Sequence, residues 1–140
     1  MKRCLLPALL LFLIACKKNE APPDPAANYG RPIVGTWALQ TVRVHATYLG
    51  SARPDTDVVS AYPAGSDLTY DAGGNVTRAS NGAQVVIATY TLRGTTLTTT
   101  YPGYPAAADH VSELTAQKLV VISTSENGGI RSVVTKTATR

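Results

Sequence analysis

The histidine and acidic side chains of this sequence are the ones that could do catalytic or metal chemistry, but their spacing favours neither. His45 and His110 lie far apart, and a lone histidine on a strand is usually a surface or packing residue. Asp55 and Asp57 could offer oxygen to calcium, yet two carboxylates without acidic neighbours favour a turn. Asp109 beside His110 is half of a hydrolytic triad, but no serine lies in a Gly-x-Ser-x-Gly turn. We therefore expect a non-enzymatic protein with no catalytic residue, metal site or cofactor.

The thiol of Cys16 has a more specific setting. A basic pair, Lys2-Arg3, is followed by an apolar run over residues 4–13 and then by Ile14-Ala15-Cys16. A basic start, an apolar run of ~7–15 residues and small residues at the end describe a secretory signal. The run is too short to span a bilayer, which needs ~20 residues. The four residues Leu13-Ile14-Ala15-Cys16 resemble the lipobox of bacterial lipoproteins, which implies that Cys16 is lipidated. An ordinary signal with an incidental cysteine is the alternative.

The chain divides into three parts on these grounds. Residues 1–15 are the predicted lipoprotein signal peptide, residues 16–32 the lipidated cysteine and a flexible tether with four prolines, and residues 33–140 one domain. Acyl chains on Cys16 would anchor the protein to a membrane. Lys17 follows the cysteine where inner-membrane retention of the enterobacterial kind needs Asp. We therefore expect a bacterial cell-envelope location, in the outer membrane.

Composition excludes several other classes of protein. Charged residues make up 16% of the chain and apolar residues 44%, with 11 glycines and 9 prolines, so general disorder is not expected. The formal net charge of +4 falls when Lys2 and Arg3 leave with the signal. That charge is too small and too scattered for a nucleic-acid binder. We expect a monomer.

The domain has the pattern of an all-β fold. Thr and Val are abundant, and eight strands are predicted at 34–48, 67–71, 75–79, 84–92, 96–101, 110–114, 118–124 and 130–139. Most connections are short, so neighbouring strands should be antiparallel. Closure into an eight-stranded up-and-down barrel would remove the two exposed edges. A two-sheet immunoglobulin-type sandwich is the alternative. The long loop 49–66 should be a lid or mouth element outside the core.

The start of the first strand, Gly35-Thr36-Trp37, resembles the Gly-x-Trp of lipocalins and their calycin relatives. Further segments recur in the order 33–39, 68–77, 88–97 and 112–121. Together they are similar to the small lipocalin-like lipoproteins of Bacteroidetes-type bacteria, over about residues 33–140. The resemblance implies a lipocalin-like barrel whose floor is closed by Gly35, Trp37 and a basic residue near the chain end. In a closed barrel the first and last strands are neighbours, which places Arg140 near Trp37, with Lys136 as the second choice.

Three tyrosines flank the longer loops and are the candidate mouth residues: Tyr62, Tyr101 and Tyr104. Tyrosine offers a flat apolar body and a hydrogen-bonding tip, which suits an amphipathic ligand or a carbohydrate; simple plugging of the barrel end is the alternative. We expect the domain to bind a small apolar or amphipathic molecule. The alternative function is a protein-interaction module, such as an envelope assembly factor or a protease inhibitor, on a filled barrel. The interior volume distinguishes the two.

Overall fold

The computed structural model describes residues 33–140, so the predicted signal peptide, Cys16 and the predicted tether lie outside the described residues. The described part of the chain is all-β. Its nine strands are β1 Gly35–Tyr48, β2 Thr56–Ala61, β3 Asp67–Tyr70, β4 Asn75–Ser80, β5 Ala83–Arg93, β6 Thr96–Thr100, β7 Ala107–Leu114, β8 Lys118–Asn127 and β9 Ile130–Thr139. Within residues 33–140 no helix has the length and apolarity needed to cross a membrane.

Eight of these strands close into an antiparallel barrel, as the sequence predicts. From β3 to β9 each strand pairs with the next along the chain. The long β1 closes the ring. Its beginning pairs with β3, with Trp37 opposite Leu68, and the rest of the strand pairs with β9, from Ala38 opposite Thr139 to Tyr48 opposite Ile130. Closure provides hydrogen-bond partners for the backbone N–H and C=O groups that an open meander would leave unpaired at its two edges. The sandwich alternative is therefore excluded.

The segment 49–66 is only partly a loop, which corrects one expectation. It contains β2, which pairs antiparallel with the second half of β1, Thr41 opposite Ala61 through Ala46 opposite Thr56. β2 and β3 lie one after the other along the same edge of β1, interrupted by residues 62–66. All six residues of β2 are exposed, so the segment does lie outside the core as expected. Its polar composition and flanking prolines hid the strand from pattern analysis.

The core follows the alternation predicted from the sequence. The barrel strands bury side chains on their inner face, and the largest fully buried side chains are Trp37, Ile33, Leu97 and Val76. Other buried residues keep the predicted parity: Tyr70, Ala88, Tyr90, Leu92, Thr99, Leu119 and Val121. Thr96 and Thr100 of the predicted threonine ladder are exposed on the outer face, and Thr98 between them is half-buried. Side chains along β6 therefore alternate between a buried inner face and a more exposed outer face.

The two ends of the barrel differ. One end carries the start of β1, the end of β9 and the short turns 71–74, 94–95 and 115–117. The other end carries the connections 49–55, 81–82, 101–106 and 128–129. Strands β1, β8 and β9 are 10 to 14 residues long whereas β6 has five. Because a strand rises about 3.3 Å per residue, the wall made by the long strands projects beyond the wall made by β6.

Candidate functional site

The floor of the barrel is built around Trp37. Its indole nitrogen donates a hydrogen bond to the Ile33 carbonyl oxygen at 2.7 Å, and its ring is fully buried. The Arg140 guanidinium covers the ring, with its central carbon 4.1 Å from the ring centroid, and donates to the Val34 carbonyl oxygen. A Cβ on Gly35 would lie 2.9 Å from that guanidinium, so the glycine leaves the space that the arginine occupies. The three residues of the predicted closing signature thus meet at one end of the barrel.

Above this floor the barrel encloses a cavity of about 390 Å³. Its deeper lining is apolar, and comprises Trp37, Leu39, Leu97, Leu119 and Ala138. Toward the opposite end, where the long strands project, the lining becomes polar, with Thr99, Ser123 and Ser125. Ligand cavities in proteins are typically concave, mostly apolar and about 300–1,000 Å³, with a few polar groups that fix orientation. The cavity of this barrel has a volume in that range and a mostly apolar lining with a few polar side chains.

Small side chains create this space. Inward positions of β7, β8 and β9 carry Ala107, Ser123 and Ala138, where Leu or Phe would extend toward the axis. Aromatic packing fills the opposite side, where Tyr70 and Tyr90 meet edge to face with ring centroids 4.9 Å apart. The Tyr90 hydroxyl donates to the Asp71 carbonyl oxygen at 2.7 Å, which fixes its ring against the wall. The cavity is therefore bounded by a rigid aromatic side and a side of small residues.

Two charged side chains also line the cavity, Asp109 of β7 and Lys136 of β9. Both are half-buried. Burial raises the pKa of the Tyr70 hydroxyl above its ordinary value of 10.0, and the negative charge of Asp109 acts in the same direction. Tyr70 is therefore a neutral hydrogen-bonding group on the cavity wall at physiological pH. The sequence interpretation assigned no ligand role to Asp109 or Lys136.

The three candidate mouth tyrosines occupy different places. Tyr101 lines the cavity and is 43% exposed. Tyr104 is 72% exposed and shares with Tyr101 a shallow outer groove beside Val86, Pro102 and Gly103. Tyr62 follows β2, where its backbone nitrogen donates to the Gln40 carbonyl oxygen, and it does not line the cavity. The structure thus brings together Tyr101 and Tyr104 and leaves Tyr62 elsewhere.

The residues considered for catalysis and metal binding lie on the outer surface or at its edge. Asp57 accepts hydrogen bonds from Arg43, which holds the pKa of the carboxyl below its ordinary range. His45 lies 3.7 Å from Asp55, on the same face of β1 and β2 as that pair. His110 is exposed on β7, next to the inward Asp109. Among residues 33–140, no three His, Cys, Asp or Glu side chains cluster as metal ligands would.

The projecting wall adds an apolar surface next to the cavity that sequence analysis did not identify. Val44 of β1 pairs with Val58 of β2 on one side and Val134 of β9 on the other, so these three valines share a face. Cross-strand pairing with β9 also places Val42 opposite the cavity-lining Lys136, which makes this the inner face. Val58 is 56% exposed. The apolar inner wall therefore continues past the cavity and ends in solvent.

Comparison with known proteins gives no family. No protein-family model matches the chain. No curated protein matches it significantly either.

Proposed function

We propose that this chain is a lipid-anchored envelope lipoprotein of lipocalin-like type whose barrel binds a small apolar or amphipathic molecule. The cavity of about 390 Å³ inside the closed barrel is the observation that carries the proposal. A closed eight-stranded barrel has an interior just wide enough to be filled by side chains or to hold one small ligand. Here small inward residues leave the space unfilled on one side, which supports the second use.

The same observation favours a ligand carrier over a protein-interaction module on a filled barrel. A module that works through its loops gains nothing from an interior void, because a void forfeits packing contacts and costs stability. A cavity that is apolar at its floor and polar toward one end matches the two parts of an amphipathic molecule. The ligand's apolar part would contact Leu97 and Leu119, and its polar part would face Ser123 and Ser125.

The membrane anchor rests on sequence features that lie outside the described residues. The basic start, the apolar run and the cysteine after Ala15 support acylation of Cys16. The proline-containing segment 17–32 would then separate the barrel from the lipid surface. A carrier tethered in this way would take up or release an amphipathic molecule close to a membrane.

The anchor and the cavity need separate tests. Replacing Cys16 by Ser should give an unprocessed protein that incorporates no labelled palmitate, while Cys4→Ser should be processed and labelled normally. Palmitate labelling of the Cys16→Ser protein would contradict the anchor. For the cavity, native mass spectrometry of protein purified from a cell extract should show a mass addition that is absent from Ser123→Trp. The surface variant Thr96→Trp, at an exposed position of β6, is the matched control and should retain the addition.

A further inference from the structure

Asp109 and Lys136 are opposite charges that face one cavity from two different strands. Lys136 of β9 lies opposite Val121 of β8, which lies opposite Val111 of β7. Asp109 precedes Val111 by two residues and so occupies the next inward position along β7. Neighbouring strands are about 4.8 Å apart and a strand rises about 3.3 Å per residue, so the two backbone positions are roughly 12 Å apart. The two side chains thus face the same cavity from backbone positions on different strands that are well separated.

Each charge has polar neighbours but no ion partner among residues 33–140. The ion pairs within residues 33–140 are Arg43–Asp57, His45–Asp55 and Lys118–Glu113, and none involves Asp109 or Lys136. Tyr70 lies within electrostatic range of Asp109, and Tyr101 lines the same cavity. Ser123, two residues beyond Val121, faces the cavity on the strand beside Lys136. Asp109 and Lys136 therefore lie on either side of β8, whose Ser123 faces the cavity between them.

The positions of these charges divide the cavity along its length. Lys136 lies two residues before Ala138, which pairs with Leu39 and Leu119 at the apolar floor. Asp109 lies on the same β7 face as Ala107, where that strand begins at the end opposite Trp37. Asp109 itself lies opposite Leu97 of β6. An apolar chain thus fits below the charges against Leu39, Leu119 and Ala138, and a head group fits between the charges.

We propose that the cavity binds a single-chain amphiphile whose head group carries both a positive and a negative charge. The positive group of the ligand faces Asp109, the negative group faces Lys136, and the apolar chain contacts the floor residues around Leu119. This inference rests on the proposed ligand-binding function and specifies the class of ligand.

The physical reason is the cost of covering charges. A ligand that enters the cavity removes water from Asp109 and Lys136. For a half-buried charge that gains no partner, this loss of hydration is unfavourable and weakens binding. A neutral head group compensates neither charge. A purely anionic head group would be repelled by Asp109, and a purely cationic one by Lys136. A zwitterionic head group compensates both.

Displacement of a neutral apolar fluorescent probe, N-phenyl-1-naphthylamine, tests the proposal. Four amphiphiles with the same twelve-carbon chain would compete below their micelle concentrations: dodecylphosphocholine, dodecanoate, dodecylamine and dodecyl maltoside. We expect the zwitterion to displace the probe at about tenfold lower concentration than each of the others. Equal displacement by all four would overturn the head-group proposal and leave the ligand-binding function standing. Failure of the probe and all four amphiphiles to bind would overturn both.

Charge variants distinguish electrostatic recognition from simple fit. Lys136→Met should weaken the zwitterion and dodecanoate several-fold and should not weaken dodecyl maltoside, whose neutral head group gains nothing from the lysine. Asp109→Asn should weaken the zwitterion and dodecylamine, and strengthen dodecanoate. Lys118→Met, which removes a surface lysine paired with Glu113, is the matched control and should change none of them. Thermal unfolding of each variant confirms folding. A zwitterion preference that survives both cavity variants would contradict the proposal.

Discussion

Arg140, the last residue of the chain, covers Trp37 at the start of β1, with the guanidinium carbon 4.1 Å from the indole centroid. The two residues are 103 positions apart in sequence and meet because β1 and β9 are neighbours in the closed barrel. The indole is buried while Arg140 is exposed. The contact is therefore a cap on a buried aromatic ring, in which the cation keeps its hydration on the outer side.

Truncation of the two residues should have unequal effects. Trp37→Ala removes a fully buried side chain and should lower the free energy of unfolding by ~3–5 kcal/mol. Arg140→Ala removes a cation–π contact at an exposed site and should cost only ~1 kcal/mol. Urea-induced unfolding followed by circular dichroism measures both. Equal and negligible losses would contradict the role of Trp37 as the packed floor of the barrel.

The position of Arg140 should be one reason why a side chain at Gly35 destabilises the fold. A Cβ at Gly35 would lie 2.9 Å from the arginine, and the backbone there has φ of +133°, which L side chains rarely adopt. Gly35→Ala should therefore destabilise the fold by ~1–3 kcal/mol from strain, plus the displacement of the guanidinium. Gly65→Ala, at φ +80° with no atom within 4 Å of the added Cβ, is the control that carries strain alone.

The double variant Gly35→Ala with Arg140→Ala separates the two causes. Since Arg140→Ala removes the clash, the double variant should be less destabilised than the sum of the two single losses. Strict additivity, measured by the same unfolding titrations, would show that the arginine does not occupy the space left by Gly35.

Much of this floor could be predicted from the sequence because it depends on order along the chain. Gly35-x-Trp37 marks the first strand, the meander implies closure, and closure brings the chain end to its start. Alternation likewise predicted Leu97 and Leu119 as interior residues. The interior residues follow from a period-two pattern of apolar residues, and predicting them requires neither the depth of a residue in the barrel nor the curvature of the sheet.

The cavity chemistry could not be predicted in the same way. Lys136 shares parity with Val134 and Ala138, so its inward position was derivable, but a charged residue at such a position is indistinguishable in sequence from one that faces solvent. Asp109 was considered only with His110, its chain neighbour, whereas the strand directs the two side chains to opposite faces. β2 was missed because it is exposed on both faces and carries no alternation.

The buried Tyr70 hydroxyl should make the fold sensitive to alkaline pH. Burial raises the pKa of Tyr70 above its ordinary value of 10.0, so the folded protein holds this proton where the unfolded chain releases it. The unfolded state then binds fewer protons, and stability should fall as pH rises above about 10. Unfolding free energies at pH 8 and pH 11 should differ less in Tyr70→Phe than in the wild type. An identical pH dependence in both proteins would contradict the burial of this hydroxyl as its cause.

Quenching of Trp37 fluorescence tests the central claim, occupancy of the barrel cavity, most directly. Trp37 is the sole tryptophan of the chain and lines the cavity floor. A dodecylphosphocholine analogue with bromine at the chain terminus places a quencher beside the indole only if the chain enters the barrel. We predict saturable quenching in the wild type and none in Ser123→Trp/Trp37→Phe, whose remaining tryptophan blocks the cavity. An unquenched Trp37 at concentrations that saturate a membrane-bound tryptophan peptide would contradict the account.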